Sequence, residues 1–431
     1  MVSRWRLVIF AAGDFGFNLY WQSAMLYLLF YYTDALGIGV ETATAIYLAA
    51  SVWDGLISFA VGVRVDRRGS ARRYRWALIA GAVPLGLAFV AAYAPPPVTG
   101  AAATVLIVIG HIVFRTAYAL VNIPYLAMSA RVSAEGRDRA FVAGLRMLAG
   151  TAAAVVVALG TVPLGRALMQ VPDGPRAFLG AALAFASVAS VLLIIVGWTY
   201  RDALAADPEP PPPLAVRVAL GRTARNTAFT TLAGAMMAMI VATTVLNKSV
   251  LYYFKYAVGD EAAGRLALAS MMAVSAAAVP LWMLTARVLG IRRLWFVAVA
   301  LCVLGLLVFA GADLRRSGAV QLFLVAMQAA TVGLHFAFWA MLPDAVDYGH
   351  QTSGVRVEGT VFGLAALLQR VAIGVATAII GLSFGEAGYV ANVRQSAQAL
   401  TAMRATIAFV PLVCFALSGA LMAFNPLRPR R

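Results

Sequence analysis

Twelve apolar runs, each near the ~20 residues that a helix needs to cross a hydrocarbon layer, govern what this chain can become. They lie at 8–33, 42–63, 75–95, 101–127, 141–165, 177–199, 227–254, 264–286, 292–312, 318–342, 358–383 and 401–424. Inside lipid every backbone N–H and C=O must be satisfied within the segment, so runs of this length are read as helices. Hydrophobic residues make up 62% of the 431 and charged residues 12%, more apolar surface than a soluble domain of this length hides. The expectation is an all-α polytopic membrane protein. The first run is too long for a cleaved signal peptide, contains Asp14, and has no small-residue cleavage site before the next charged loop.

The same distribution narrows the function. Cys302 and Cys414 both fall inside apolar runs, so neither a disulfide framework nor a metal site is expected. A net charge of +16 invites a nucleic-acid reading, but the arginines sit in short connections between spans, where they specify topology. No nucleic-acid partner is expected. Counted over alternate connections, Lys and Arg number 22 on the side that holds both termini and 8 on the other, which places both termini in the cytoplasm. No nucleophile with a base, ligand cluster or soluble catalytic domain stands out, so an enzyme is not expected.

One connection differs from the rest. Residues 200–226 are polar and contain the run Asp207–Pro213, DPEPPPP, a composition suited to an extended, semi-rigid spacer. It divides the chain into an N-terminal six-helix bundle at 1–199 and a C-terminal one at 227–431. Two such bundles commonly bind a small molecule at mid-membrane and expose it alternately to either side.

Among the ionisable residues within spans, six need an account: Asp14, Asp54, Arg115, Arg146, Lys248 and Arg370. Such groups are costly against lipid, so they are expected to face a cavity or one another. Arg146 and Lys248, near the span ends, have the simpler alternative of snorkelling to headgroups. Spacing adds detail: Asp54 and Ser58 share a helix face, as do Tyr118 and Asn122, with Arg115 one turn earlier. The plainer account of Ser58 and Asn122 is polar contact between helices. At the start of the last cytoplasmic connection, Asp344 and Asp347 are three apart. They form an acid pair on a basic face, fit to meet arginines when a cytoplasmic gate closes.

Two resemblances then appear. The segment Gly62–Arg73, GVRVDRRGSARR, resembles the major facilitator loop motif, which implies a gating role for Gly62, Asp66, Arg67 and Gly69 and a two-bundle, twelve-helix fold. Six further segments are similar to the glycoside-pentoside-hexuronide cation symporters: YYTDALG (31–37), VWD (52–54), NIPY (122–125), YYFKYAVGD (252–260), DAVDYG (344–349) and GYVANVRQSAQAL (388–400).

That resemblance implies substrate contacts from Asp14, Tyr118, Asn122, Arg146, His335, Trp339 and Arg370, the last replacing a lysine of the family. It implies a cation site at Asp54, Ser58 and Asn122, where only Asp54 keeps the acid that the family has at all three. One carboxylate suits a proton better than a sodium ion, because a proton needs no shell of oxygen ligands. The expectation is a monomeric importer of a sugar or glycoside in the bacterial inner membrane, surrounded by lipid, needing no cofactor beyond a coupling proton or sodium ion. The alternatives are a carrier of an amphiphile such as a lysolipid, or a transport-inactive sensor.

Overall fold

The computed structural model describes residues 3–68, 71–129, 131–133, 136–171, 174–201, 216–312, 316–353 and 358–427. Among them there is no strand. Twelve long helices follow in order: α1 (Arg4–Leu26), α2 (Val40–Arg68), α3 (Ala71–Ala92), α4 (Gly100–Ser129), α5 (Gly136–Met169), α6 (Pro175–Thr199), α7 (Thr227–Tyr252), α8 (Glu261–Leu289), α9 (Ile291–Gly311), α10 (Ser317–Ser353), α11 (Glu358–Glu386) and α12 (Ala397–Ala423). Eleven helices among the described residues are long and apolar enough to cross a membrane. The exception is α1, which carries Asp14, Asn18 and Gln22 at four-residue intervals. Large apolar side chains stand outward, among them Leu87, Trp198 and Val288 at 66%, 68% and 82% exposure, as a lipid-facing surface requires.

The chain divides into two compact units. Unit 1 comprises Met1–Ile38 and Leu56–Pro211, and unit 2 comprises Gly39–Gly55 and Pro212–Arg431. In unit 1, α1 packs on α5 and α6, α3 on α4 and α6, and α5 on α6. In unit 2, α7 packs on α11 and α12, α9 on α10 and α12, and α11 on α12. These contacts of unit 2 repeat those of unit 1 six helices on, an internal repeat of the kind that transporters use.

The repeat extends to local chemistry. After α1 the chain passes through Leu28–Phe30 into a π-helical turn, Tyr31–Ala35, and α7 runs directly into another, Tyr253–Val258. Both end on a left-handed glycine, Gly37 at φ 70° and Gly259 at φ 79°, a conformation glycine adopts without steric cost. The same backbone bond closes each: Ile38 N–H to Tyr32 O at 3.0 Å, and Asp260 N–H to Phe254 O at 2.9 Å. The segments YYTDALG and YYFKYAVG are therefore two copies of one terminating device.

Packing explains why residues 40–55 of α2 belong with unit 2. Along α11, an ideal Cβ on Gly374 would sit 2.9 Å from Leu48 Cδ1 and one on Gly385 would sit 2.5 Å from Glu41 Oε1, while Gly381 lies hard against Thr44. On α2, a Cβ at Gly55 would meet Leu367 Cδ1 at 2.5 Å. Small residues let membrane helices approach closely enough for backbone-range dispersion to hold them. In unit 2, α7 is buried along most of its length, from Ala228 to Tyr252; a helix that is apolar all round belongs inside a bundle.

Three segments differ from their expected form. The spacer 200–226 contains a helix, Val216–Arg225; no proline follows Pro213 there, and Arg222 and Arg225 lie in its last turn, where cations suit the helix dipole. The proline run itself lies outside the described residues. The stretch after Gly62, expected as a loop, continues as the last turns of α2 to Arg68, since neither Gly nor Pro intervenes before Gly69. Likewise Asp344 and Asp347 are not in a connection, because α10 runs on to Ser353 in spite of Pro343.

Candidate functional site

The structure brings Asp14 and Arg146 together within unit 1. Arg146 Nε and Nη2 address the two Asp14 carboxylate oxygens, the second at 3.4 Å, with the two side chains 20% and 14% exposed. A forked guanidinium on a carboxylate is the stronger kind of hydrogen-bonded pair. Tyr125 completes the group: its hydroxyl lies 3.1 Å from Asp14 Oδ2 and 2.8 Å from the Phe10 carbonyl, and Arg146 sits 5.2 Å above its ring. Arg146 is thus held by α1 rather than extended toward headgroups. Gly13 makes the approach possible, since a Cβ there would be 2.8 Å from the Tyr125 ring.

An aromatic wall adjoins this pair. Tyr118 stands edge-on to Phe17 at 5.8 Å and tilted to Trp21 at 5.9 Å between centroids. Behind it lies a chain that runs through buried polar groups. Arg115, 1% exposed, donates from Nε to His111 Nε2 at 3.2 Å and lies 5.1 Å over Trp21. Arginine carries no acceptor, so His111 Nε2 receives, and the imidazole proton is on Nδ1, 3.2 Å from the Tyr32 hydroxyl. Asn122 is half-buried one turn from Tyr118 on α4, with no hydrogen-bond partner among the described residues.

In unit 2 the second ion pair joins Asp54 to Arg370, with Arg370 Nε 3.4 Å from Asp54 Oδ2. Asp54 is 1% exposed and the Arg370 side chain 21%. Lys248 does not snorkel: it is 2% exposed, with Nζ 3.7 Å from the Tyr47 ring centroid, a cation–π contact in a dry setting. On α10, His335 Nδ1 lies 3.1 Å from Thr331 O, and Trp339, one turn on, is 45% exposed. Asp344 and Asp347 are half-buried.

The expected substrate set thus falls into Asp14, Tyr118, Asn122 and Arg146 in unit 1 and His335, Trp339 and Arg370 in unit 2. The expected cation set is also divided, Asp54 lying in unit 2 and Ser58 and Asn122 in unit 1. Of the gate motif, Gly62 has open space where a Cβ would stand; the Asp66 and Arg67 side chains and all of Gly69 lie outside the described residues. Sequence reasoning passed over Tyr125, His111, Asn18 and Gln22. The four-residue spacing of Asp14, Asn18 and Gln22, and of His111 and Arg115, was the available signal.

Helical bundles of this kind, with paired charges inside them, define a polytopic membrane transporter. Residues 9–428 match the model of the MFS/sugar transport protein family, and the chain belongs to that family. It is 26% identical to an isoprimeverose transporter of Lactiplantibacillus pentosus, over 96% of this chain and 87% of that protein. It is also 26% identical to a putative sulfoquinovose importer of Salmonella typhimurium, over 96% and 88%. Among solved structures, a single-residue mutant of the nucleoside transporter NupG superposes with a TM-score of 0.66 over 97% of this chain and 99% of that one, at 15% identity. The chain is a major facilitator transporter and not an enzyme.

Proposed function

We propose that this protein imports a sugar or glycoside by proton symport with alternating access. The observation that carries the reading is the Asp14–Arg146 pair on a half-buried face beside Tyr118 and Trp21. A carboxylate accepts from two neighbouring hydroxyls, a guanidinium donates to them, and an aromatic face covers the apolar side of a pyranose. Family membership and the names of the relatives support the same substrate class. Asn122, His335, Trp339 and Arg370 are assigned to the substrate with them.

Asp54 is assigned as the coupling acid. It is the one carboxylate among Asp54, Ser58 and Asn122, and its charge is set against Arg370. Loading a proton neutralises Asp54 and releases Arg370, a change of state large enough to bias a two-state carrier. A sodium ion at the same carboxylate has a guanidinium beside it and only neutral oxygens for further ligands. Gly62, Asp66, Arg67, Gly69, Asp344 and Asp347 are assigned to the cytoplasmic gate. Both termini are assigned to the cytoplasmic side of a bacterial inner membrane, and the working unit to a monomer.

The test is sugar uptake into proteoliposomes under separately imposed pH and sodium gradients, for wild type and Asp54→Asn. The expected result is uptake driven by an inward proton gradient and indifferent to sodium. In the variant, uphill accumulation is lost while substrate exchange survives. Stimulation by sodium alone at constant pH, with no membrane potential, overturns proton coupling.

A further inference from the structure

Above the Asp14–Arg146 pair, α1 carries two more polar side chains on the same face. Asn18 Nδ2 donates to the Asp14 backbone carbonyl at 2.9 Å, and Gln22 Nε2 donates to Asn18 Oδ1 at 3.4 Å. Both are half-buried. Polar residues in membrane spans ordinarily bond a neighbouring helix, yet both of these bonds stay within α1. Gln22 Oε1 and the second N–H of each amide have no protein partner among the described residues. Opposite them, α5 presents Gly150, one turn beyond Arg146, where an added Cβ would lie 3.0 Å from Asn18 Nδ2 and 3.3 Å from its Cγ. The Asn18 amide thus stands where α5 carries no side chain.

From these observations we infer that Asn18 and Gln22 form a second sugar subsite, and that the substrate is an uncharged glycoside of at least two rings. The inference rests on the sugar reading of the Asp14–Arg146 site. Eight residues of helix separate Asp14 from Gln22, a rise of about 12 Å, roughly the length of two pyranose rings rather than one. Each primary amide offers both donor and acceptor, which matches hydroxyls that also do both. Neither amide carries charge. The cations in this part of unit 1 are engaged, Arg146 with Asp14 and the buried Arg115 with His111 and Trp21. A carboxylate or sulfonate on the second ring would meet no counter-charge from these amides, and its desolvation would go uncompensated.

The experiment uses the full-length purified protein and measures the affinity of isoprimeverose and melibiose, their component monosaccharides xylose, glucose and galactose, and sulfoquinovose. In the wild type, at least one of the two disaccharides is expected to bind ten times or more tighter than its own monosaccharides and tighter than sulfoquinovose. Asn18→Ala and Gln22→Ala should each weaken that disaccharide about tenfold, the worth of one or two hydrogen bonds, and shift the monosaccharides by less than about threefold. Gly150→Ala attacks the same amide from α5, its Cβ 3.0 Å from Asn18 Nδ2, so it should narrow the disaccharide preference. Equal losses on one-ring and two-ring sugars, unchanged affinities in all three variants, or a wild-type preference for a monosaccharide or for sulfoquinovose overturns the subsite. Binding of none of these sugars overturns the sugar reading as well. Monosaccharide binding that Asp14→Ala abolishes, with no disaccharide preference, leaves that reading standing and removes only the subsite.

Discussion

Removing one partner of the Asp54–Arg370 pair should cost more stability than removing both implies. Asp54 is 1% exposed and Arg370 has about a fifth of its side chain in contact with solvent, 21%. Truncating one member of a buried pair strands the other, at a cost of ~3–5 kcal/mol. Arg370→Ala removes this partner from the more deeply buried charge, so about 3 kcal/mol is expected. Asp54→Asn removes the charge facing a guanidinium that keeps some water, and its cost should be nearer ~1–2 kcal/mol. In Asp54→Asn/Arg370→Ala no stranded charge remains, and the double variant should recover ~1–3 kcal/mol relative to the sum of the singles. The assay is equilibrium unfolding of the four proteins in one detergent, read as a double-mutant cycle. Single effects that add to within about 0.5 kcal/mol would show that the two side chains do not interact energetically.

The close approach of α11 to α2 predicts that Gly381→Ala, whose new Cβ meets Thr44, lowers stability by ~1–3 kcal/mol; a thermal-unfolding series should show Thr44→Ala restoring part of the loss. Tyr125→Phe removes the hydroxyl beside Asp14 and the Phe10 carbonyl but keeps the ring stacked on Phe10 at 4.8 Å. Sugar affinity should therefore fall about tenfold with the thermal midpoint little changed, and a large fall in midpoint with normal affinity would remove Tyr125 from the site. Arg292 donates to the carbonyls of Ala423, Asn425 and Leu427 at 2.7–3.0 Å, so Arg292→Gln should loosen the end of α12. Faster cleavage of the C-terminal residues in limited proteolysis checks this, and an unaltered rate contradicts it.

How far the site could be read in advance depended on whether the cue was local. The in-span positions of Asp14, Asp54, Arg146 and Arg370 marked them at once, because an ionisable group within an apolar run has few tolerable places to go. Which charge meets which was not local. Asp14 finds Arg146 across 132 residues, and Asp54 finds Arg370 only because glycines on both helices let α2 and α11 close on each other. Lys248 looked as fit for snorkelling as for burial until Tyr47 was seen beneath it. The arginines divide in the same way. Counting them sets topology, but only packing shows that Arg75, Arg292 and Arg404 also cap helix ends, binding the carbonyls of Gly197, Ala423 and Ala312.

By itself the sequence determined that the chain is a helical membrane protein, where its apolar runs fall and that its family is one of transporters. Those properties follow from hydrophobic length and short motifs, both local in the chain. Tertiary structure alone decided that residues 39–55 pack with unit 2 and that the two Tyr-rich segments end in matching π-turns. It also decided that Asn18 meets Gly150 of α5. The packing of residues 39–55 and the meeting of Gly150 with Asn18 depend on contacts between residues a hundred or more positions apart, where one missing Cβ decides which faces can meet, and no periodicity within a helix records that.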